Sequence, residues 1–212
     1  MRPEPGPRVL VFDLGGVLLD WSPRYLYRKL LGSEAAIDDL LARVCPHAWN
    51  EEMDAGKPFA EGVAERVALF PGHAALIRAY AERWHEMVGG PIEGTVALLR
   101  EVRAAGVPCY ALSNWSAETF PPVRARYDFL NLFDGVVISG EEGVRKPDPR
   151  LYRVLFERYG LAPAEGLFVD DVEANVAAAR ALGMAAVRFT TPEALRGELE
   201  ARGFVRPRDV RR

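Results

Sequence analysis

Cysteine and histidine are scarce in this 212-residue chain, with two of the first and three of the second. Cys45 and Cys109 lie far apart and outside any Cys-x-x-Cys spacing, which fits two reduced, buried thiols better than a disulfide or zinc framework. No pair of histidines has metal-ligand spacing. Basic excess is also missing: the formal charge is −3 and Lys and Arg are spread along the chain, so no footprint for nucleic acid or an anionic membrane is present. Long apolar runs are absent, and the Pro-rich start from Met1 to Pro7 leads into a run too short for a signal-peptide core or a membrane span. A cytoplasmic protein acting on a small molecule, as monomer or homodimer, is the expectation.

What the chain does contain is an ordinary globular composition, 49% hydrophobic and 27% charged. Short runs rich in Val, Leu and Phe recur at Arg8–Phe12, Val107–Leu112, Gly135–Ile138, Gly166–Val169 and Ala185–Phe189, and each has the continuous apolar character of a buried parallel strand. Helical patterns lie between and after them, at Glu93–Ala105, Pro149–Tyr159, Glu173–Leu182 and Pro192–Arg202. Each is followed by a glycine suited to a left-handed C-terminus: Gly106, Gly160, Gly183 and Gly203. Thr191 before Pro192 is an N-cap signal. Alternating strands and helices predict a doubly wound α/β core with a parallel sheet.

Between the first strand and the rest lie about eighty residues without a convincing strand, with helical candidates at Tyr25–Leu31, Ala35–Val44, Phe59–Leu69 and His73–Met87. This predicts a helical insertion over 19–90, with the α/β core formed by 8–18 and 91–205 and a frayed basic tail over 206–212. His47, Trp49, Asn50, Asp54 and Lys57 fall in a polar interruption of the insertion.

Ligands of open parallel sheets bind beyond the carboxyl ends of the strands. Reading each strand exit gives Asp13, then Ser113 and Asn114, then Ser139 with Lys146 soon after, then Asp170 and Asp171. Three carboxylates crowded on one edge repel one another unless a cation neutralises them, and a hard divalent ion such as Mg²⁺ suits an all-oxygen donor set.

These residues also carry a resemblance. Val9-Leu-Val-Phe-Asp13-Leu-Gly-Gly-Val17-Leu resembles the first motif of the haloacid dehalogenase superfamily, and Ala111-Leu-Ser113-Asn114 the second. Arg145-Lys146-Pro147-Asp148-Pro149 resembles the third, and Phe168-Val-Asp170-Asp171 the fourth. The resemblance implies a phosphatase-type hydrolase in which Asp13 attacks phosphorus to give an aspartyl-phosphate. It implies that Asp13, Asp170, Asp171 and the Gly15 carbonyl hold Mg²⁺, with Asp170 and Asp171 both open as the direct ligand. Asp171 also stands where it would cap the helix starting near Glu173. Ser113 would bind a phosphoryl oxygen and Lys146 would offset charge between nucleophile and phosphate. Asn114, Gly15, Trp21 and Trp115 are the expected substrate contacts at the pocket mouth. The helical insertion would be a cap over the site, with one or two residues of its polar interruption touching substrate.

Gly15 is a departure, because most phosphatases of the superfamily carry an acid/base aspartate two residues after the nucleophile. Its loss typically forfeits about 10²–10⁴ in rate for leaving groups that need protonation, so alkyl phosphates are expected to react poorly and sugar 1-phosphates or aryl phosphates better. The same Asp-Leu-Gly start resembles a bacterial branch that includes α-D-glucose-1-phosphate phosphatases. Two other readings remain open at this stage: a metal-free 2-haloacid dehalogenase using Asp13 on carbon, and a catalytically weak binding module. The acid pair Asp170–Asp171 favours the phosphatase.

Overall fold

The computed structural model describes residues 6–207; apart from Arg206 and Pro207, which are in no regular element, the expected tail lies outside the described residues. Five parallel strands form one sheet: β1 (Val9–Phe12), β4 (Cys109–Ser113), β5 (Gly135–Ile138), β6 (Gly166–Asp170) and β7 (Ala185–Arg188), in the order β5-β4-β1-β6-β7. All four residues of β1 are buried. Leu10 and Phe12 enter the core on one face while Val11 enters that on the other, as the two-residue period of a strand requires.

Helices cover both faces. Tyr152 and Leu155 of the helix Pro149–Tyr159, with Val176 and Ala179 of Glu173–Ala181, pack on the Val11 face. Val96 and Leu99 of Glu93–Ala104, with Leu195 and Leu199 of Pro192–Ala201, pack on the other. The fold is the doubly wound α/β arrangement expected from the strand–helix alternation. Gly106, Gly160, Gly183 and Gly203 all take positive φ where those four helices stop. Thr191 caps the last helix by accepting from the Ala194 amide at 3.2 Å.

The region after β1 differs from expectation in two ways. It contains strand: β2 (Leu19–Trp21) and β3 (Val88–Pro91) form an antiparallel ribbon that carries the chain out of the core and back. Three or four residues including Gly89 and Gly90 are too short to display a period, which is why no strand is legible there. The polar interruption, secondly, contains the helix His47–Asp54. Trp49 and Met53, four apart, are buried, while Asn50 and Asp54, also four apart, form a second stripe beside them. Helices Pro23–Tyr27, Glu34–Asp39, Phe59–Leu69 and Ala74–Glu82 complete the insertion, the second running on as a π-turn over Leu40–Val44. Among the described residues no helix is long and apolar enough to cross a membrane.

Candidate active site

Asp13 directly follows β1, while Ser113 ends β4 and Asp170 ends β6, so parallel pairing in register brings all three to one sheet edge. Carboxylate oxygens of Asp13, Asp170 and Asp171 lie within 4.8 Å of one another. Lys146, fully buried, spends its three donors on Asp170 Oδ2 at 2.6 Å, Leu112 O at 2.8 Å and Asp13 Oδ1 at 3.1 Å. Burial alone would drive the Lys146 ammonium towards neutrality, but Asp13 and Asp170 outweigh it and hold the charge.

The two aspartates of the pair differ. Asp170 is saturated: besides Lys146 it accepts from the Val172 amide at 2.8 Å and from Asn175 Nδ2 at 3.0 and 3.1 Å. With Lys146, it lies buried beneath the pocket rather than on its wall. Asp171 lines the pocket, and among the described residues no other side chain donates to its carboxylate. Burial and the neighbouring Asp170 raise its pKa. Gly16 lets this happen. Its φ is 75° and a Cβ there would sit 2.5 Å from Asp171 Oδ2, so a side chain at 16 would collide with the carboxylate. At Gly15 a Cβ would meet nothing within 4 Å.

Asp13 Oδ1 accepts from Ser113 Oγ at 2.7 Å and from the Leu14 amide at 2.7 Å, in addition to Lys146. Oδ2 is left without a donor among the described residues. Burial pushes the Asp13 carboxyl up to about 7, and Asp170 and Asp171 add to the rise against the opposing pull of Lys146 and Ser113. Three carboxylates with one committed lysine form an over-acidic cluster, and the oxygen donor set fits a hard divalent cation such as Mg²⁺.

Asp13, Gly15, Ser113, Asn114, Trp21, Trp115 and Asp171 all border one cavity of about 220 Å³, room for a small metabolite. Asn114, which lines this cavity, also makes bonds within the protein. Its amide donates to the Lys146 carbonyl at 3.0 Å and accepts from the Lys146 amide at 2.8 Å, so it fixes the loop carrying the lysine. The opposite wall is aromatic: Trp84 lies 5.2 Å from Trp115 and 6.3 Å from Trp21, centroid to centroid, the latter pair stacked. From the polar interruption, His47, Asn50 and Asp54 reach this cavity. Trp49 is core instead, and Lys57 pairs with Glu52 and Glu65.

Sequence reasoning missed Trp84, buried in a helical pattern, and Asn175, which orients Asp170. Asn175 did leave a signal, a polar residue beside Val176 on the apolar side of an amphipathic helix.

Residues 7–183 match the model of the haloacid dehalogenase-like hydrolase family. The chain is similar to a sesquiterpene phosphatase from Aspergillus oryzae, 30% identical over 86% of this chain and 90% of that one. It is also similar to a phosphoserine phosphatase from Thermus thermophilus, 36% identical over 85% and 87% of the respective lengths. A HAD family enzyme from Bacteroides thetaiotaomicron, solved as a mutant in complex with magnesium and inorganic phosphate, shares the fold. Its TM-score is 0.67 and its identity 20%, over 88% of this chain and 95% of that chain. With four motifs converging on one sheet edge and phosphatases among its relatives, the chain belongs to the haloacid dehalogenase-like hydrolases.

Proposed function

We propose that this hydrolase is a Mg²⁺-dependent phosphatase acting on a small phosphorylated metabolite through a phospho-aspartate on Asp13. The observation that carries this reading is the group of three carboxylates within 4.8 Å around the buried Lys146. A haloacid dehalogenase working without metal on an anionic substrate would gain nothing from Asp170 and Asp171, whose charges would repel it.

Asp13, Asp171 and the Gly15 carbonyl would hold the ion, with Asp170 behind them, and Mg²⁺ supplies neutralisation of phosphoryl charge when bound. Asp13 attacks phosphorus. Ser113, whose hydroxyl rests on Asp13 Oδ1, is placed to turn its donor to a phosphoryl oxygen once the nucleophile is engaged. Lys146 keeps the charge around the reacting oxygens low. Asn114 holds that lysine's loop. Residues 19–90 act as a cap that closes the pocket and selects the substrate.

Trp21, Trp84 and Trp115 favour a leaving group with an apolar face, since indole surfaces stack on aryl rings, sugar C–H faces or prenyl chains. A sugar phosphate therefore stands beside aryl and terpenyl phosphates in the panel to be screened. Asp13→Asn tests the reading directly: turnover of p-nitrophenyl phosphate and of the best panel substrate should fall by roughly 10⁴-fold or more, given the size of covalent-catalysis effects. The far-ultraviolet circular dichroism should be unchanged. Retained activity in this variant, or wild-type activity indifferent to EDTA, removes the proposal.

A further inference from the structure

Gly15 leaves one task unfilled: a departing alkoxide needs a proton, and the water that later attacks phosphorus must lose one. Lys146 cannot serve, for it is buried below the pocket with its three donors committed. Ser113 donates to the nucleophile itself. Besides Asp13 and Asp171, the ionisable groups lining the pocket are His47, Glu51 and Asp54. The His47 side chain is 71% exposed, and Glu51 is paired with Arg145 at 2.9 Å. Asp54 is 9% exposed and has no cationic partner within salt-bridge distance among the described residues.

We propose that Asp54 is the general acid and base of this site, delivering from the helical wall the proton that Gly15 cannot. The proposal rests on the phosphatase reading above. In the first step an Asp13 oxygen bonds to phosphorus, the phosphorus–oxygen bond to the leaving group breaks with its electron pair, and the Asp54 proton passes to that oxygen. In the second, water bonds to phosphorus and gives a proton to the Asp54 carboxylate. The electron pair of the Asp13–phosphorus bond then returns to Asp13.

Asp54 lines the pocket and is held there by hydrogen bonds. Tyr80 O–H donates to Asn50 Oδ1 at 2.9 Å and Asn50 Nδ2 donates to Asp54 Oδ2 at 2.8 Å, a chain that orients the carboxyl from inside the helical wall. The Asp54 carbonyl accepts from Ser139 Oγ, which accepts in turn from the Trp115 amide at 2.9 Å. The Asp54 backbone is thereby tied to the exits of β4 and β5, and Asp54 lines the same pocket as Ser113. Burial pushes its carboxyl up to about 7, with Glu51 and Asp13 adding to the rise while Arg145 and the Ser116 amide oppose it. A carboxyl that titrates near neutrality can both give and take a proton at working pH.

The inference lifts the restriction to good leaving groups that Gly15 alone would impose. Asp54→Asn, which keeps volume and the bond from Asn50 if its amide oxygen faces that donor, should lower kcat for an alkyl phosphate by roughly 10²–10⁴-fold. With p-nitrophenyl phosphate the first turnover should stay fast, giving a burst of nitrophenolate, while phosphorylated Asp13 accumulates for want of a base. Adding Gly15→Asp to D54N should restore at least tenfold of the alkyl-phosphate rate, because Gly15 opens into free space. A structural role for Asp54 would instead depress both substrates alike, with no burst and no rescue by G15D, and that result overturns the proposal. In the wild type, kcat/KM should vary little with leaving-group pKa; a steep dependence overturns it without any variant. If the wild type forms no phosphoenzyme at all, the phosphatase reading has failed first and this inference goes with it.

Discussion

Under the pocket Lys146 ties Asp13 at 3.1 Å to Asp170 at 2.6 Å, a buried set of charges with little room to adapt. Across from them the wall offers the indoles of Trp21 on β2, Trp84 in the insertion and Trp115 just after β4, with an imidazole and the Asn50–Asp54 pair from the helix His47–Asp54 and the ion pair Arg145–Glu51 beside it. On the proposed reading, this floor would handle what every phosphate ester shares, the phosphoryl group and its charge. The wall would meet what differs between esters, the size, polarity and basicity of the departing group. Floor variants should therefore damage stability, metal binding and rate on all substrates, and wall variants should redistribute activity among substrates.

The largest effect that could break this contrast is on Lys146. Lys146→Met leaves Asp13 and Asp170 buried without their cation, and unfolding free energy should drop by about 3–5 kcal/mol at neutral pH. The sign with pH follows from linkage. Carboxyls whose folded pKa is raised destabilise the protein once pH exceeds their unfolded value, so the loss should deepen between pH 5 and 8 and shrink below that. Urea melts across this range check it, and a pH-independent loss would contradict the floor's charge balance.

Metal binding is the next in size. Because burial pushes Asp13 up to about 7 in the metal-free protein, the proposed Mg²⁺ and a proton would compete there. Affinity measured by calorimetry should be level above pH 7 and fall by up to about tenfold per unit below it, with proton uptake by buffer on binding. Asp171→Asn should weaken the ion by at least the ~10–100-fold typical of losing a supporting group. Smallest, and on the wall, Trp84→Ala should raise KM about fivefold, the equivalent of ~1 kcal/mol of aromatic contact, while sparing kcat. A fall in kcat instead would mean that the wall positions the reacting atoms, and the contrast would blur.

The same division separates what could be read from the chain. Asp13, Ser113 and Asp170 each follow an apolar run, so once parallel strands are recognised their meeting is nearly forced by topology, and the five strands were legible to within two residues at each end. Asp54 and Trp84 carry no such marker. They reach the pocket through the tertiary packing of short helices on the core, and a polar helix such as His47–Asp54, begun at Pro46 without a side-chain cap, reads as loop. Asn114 was legible as a site residue but its bonds were not, because its partners are the backbone groups of a lysine thirty-two positions later. Hydrogen bonds over that separation leave no periodic trace.

The ribbon β2–β3 has one more consequence. Since Leu19 pairs with Pro91 and Asp20 with Gly90, the chain departs from the sheet and comes home through adjacent doorways. Everything between them can lengthen, shorten or be exchanged as a cassette without rethreading a single sheet strand. One catalytic foundation can thus be fitted with different lids, and a lid that brings its own carboxyl releases position 15 from the need to supply one.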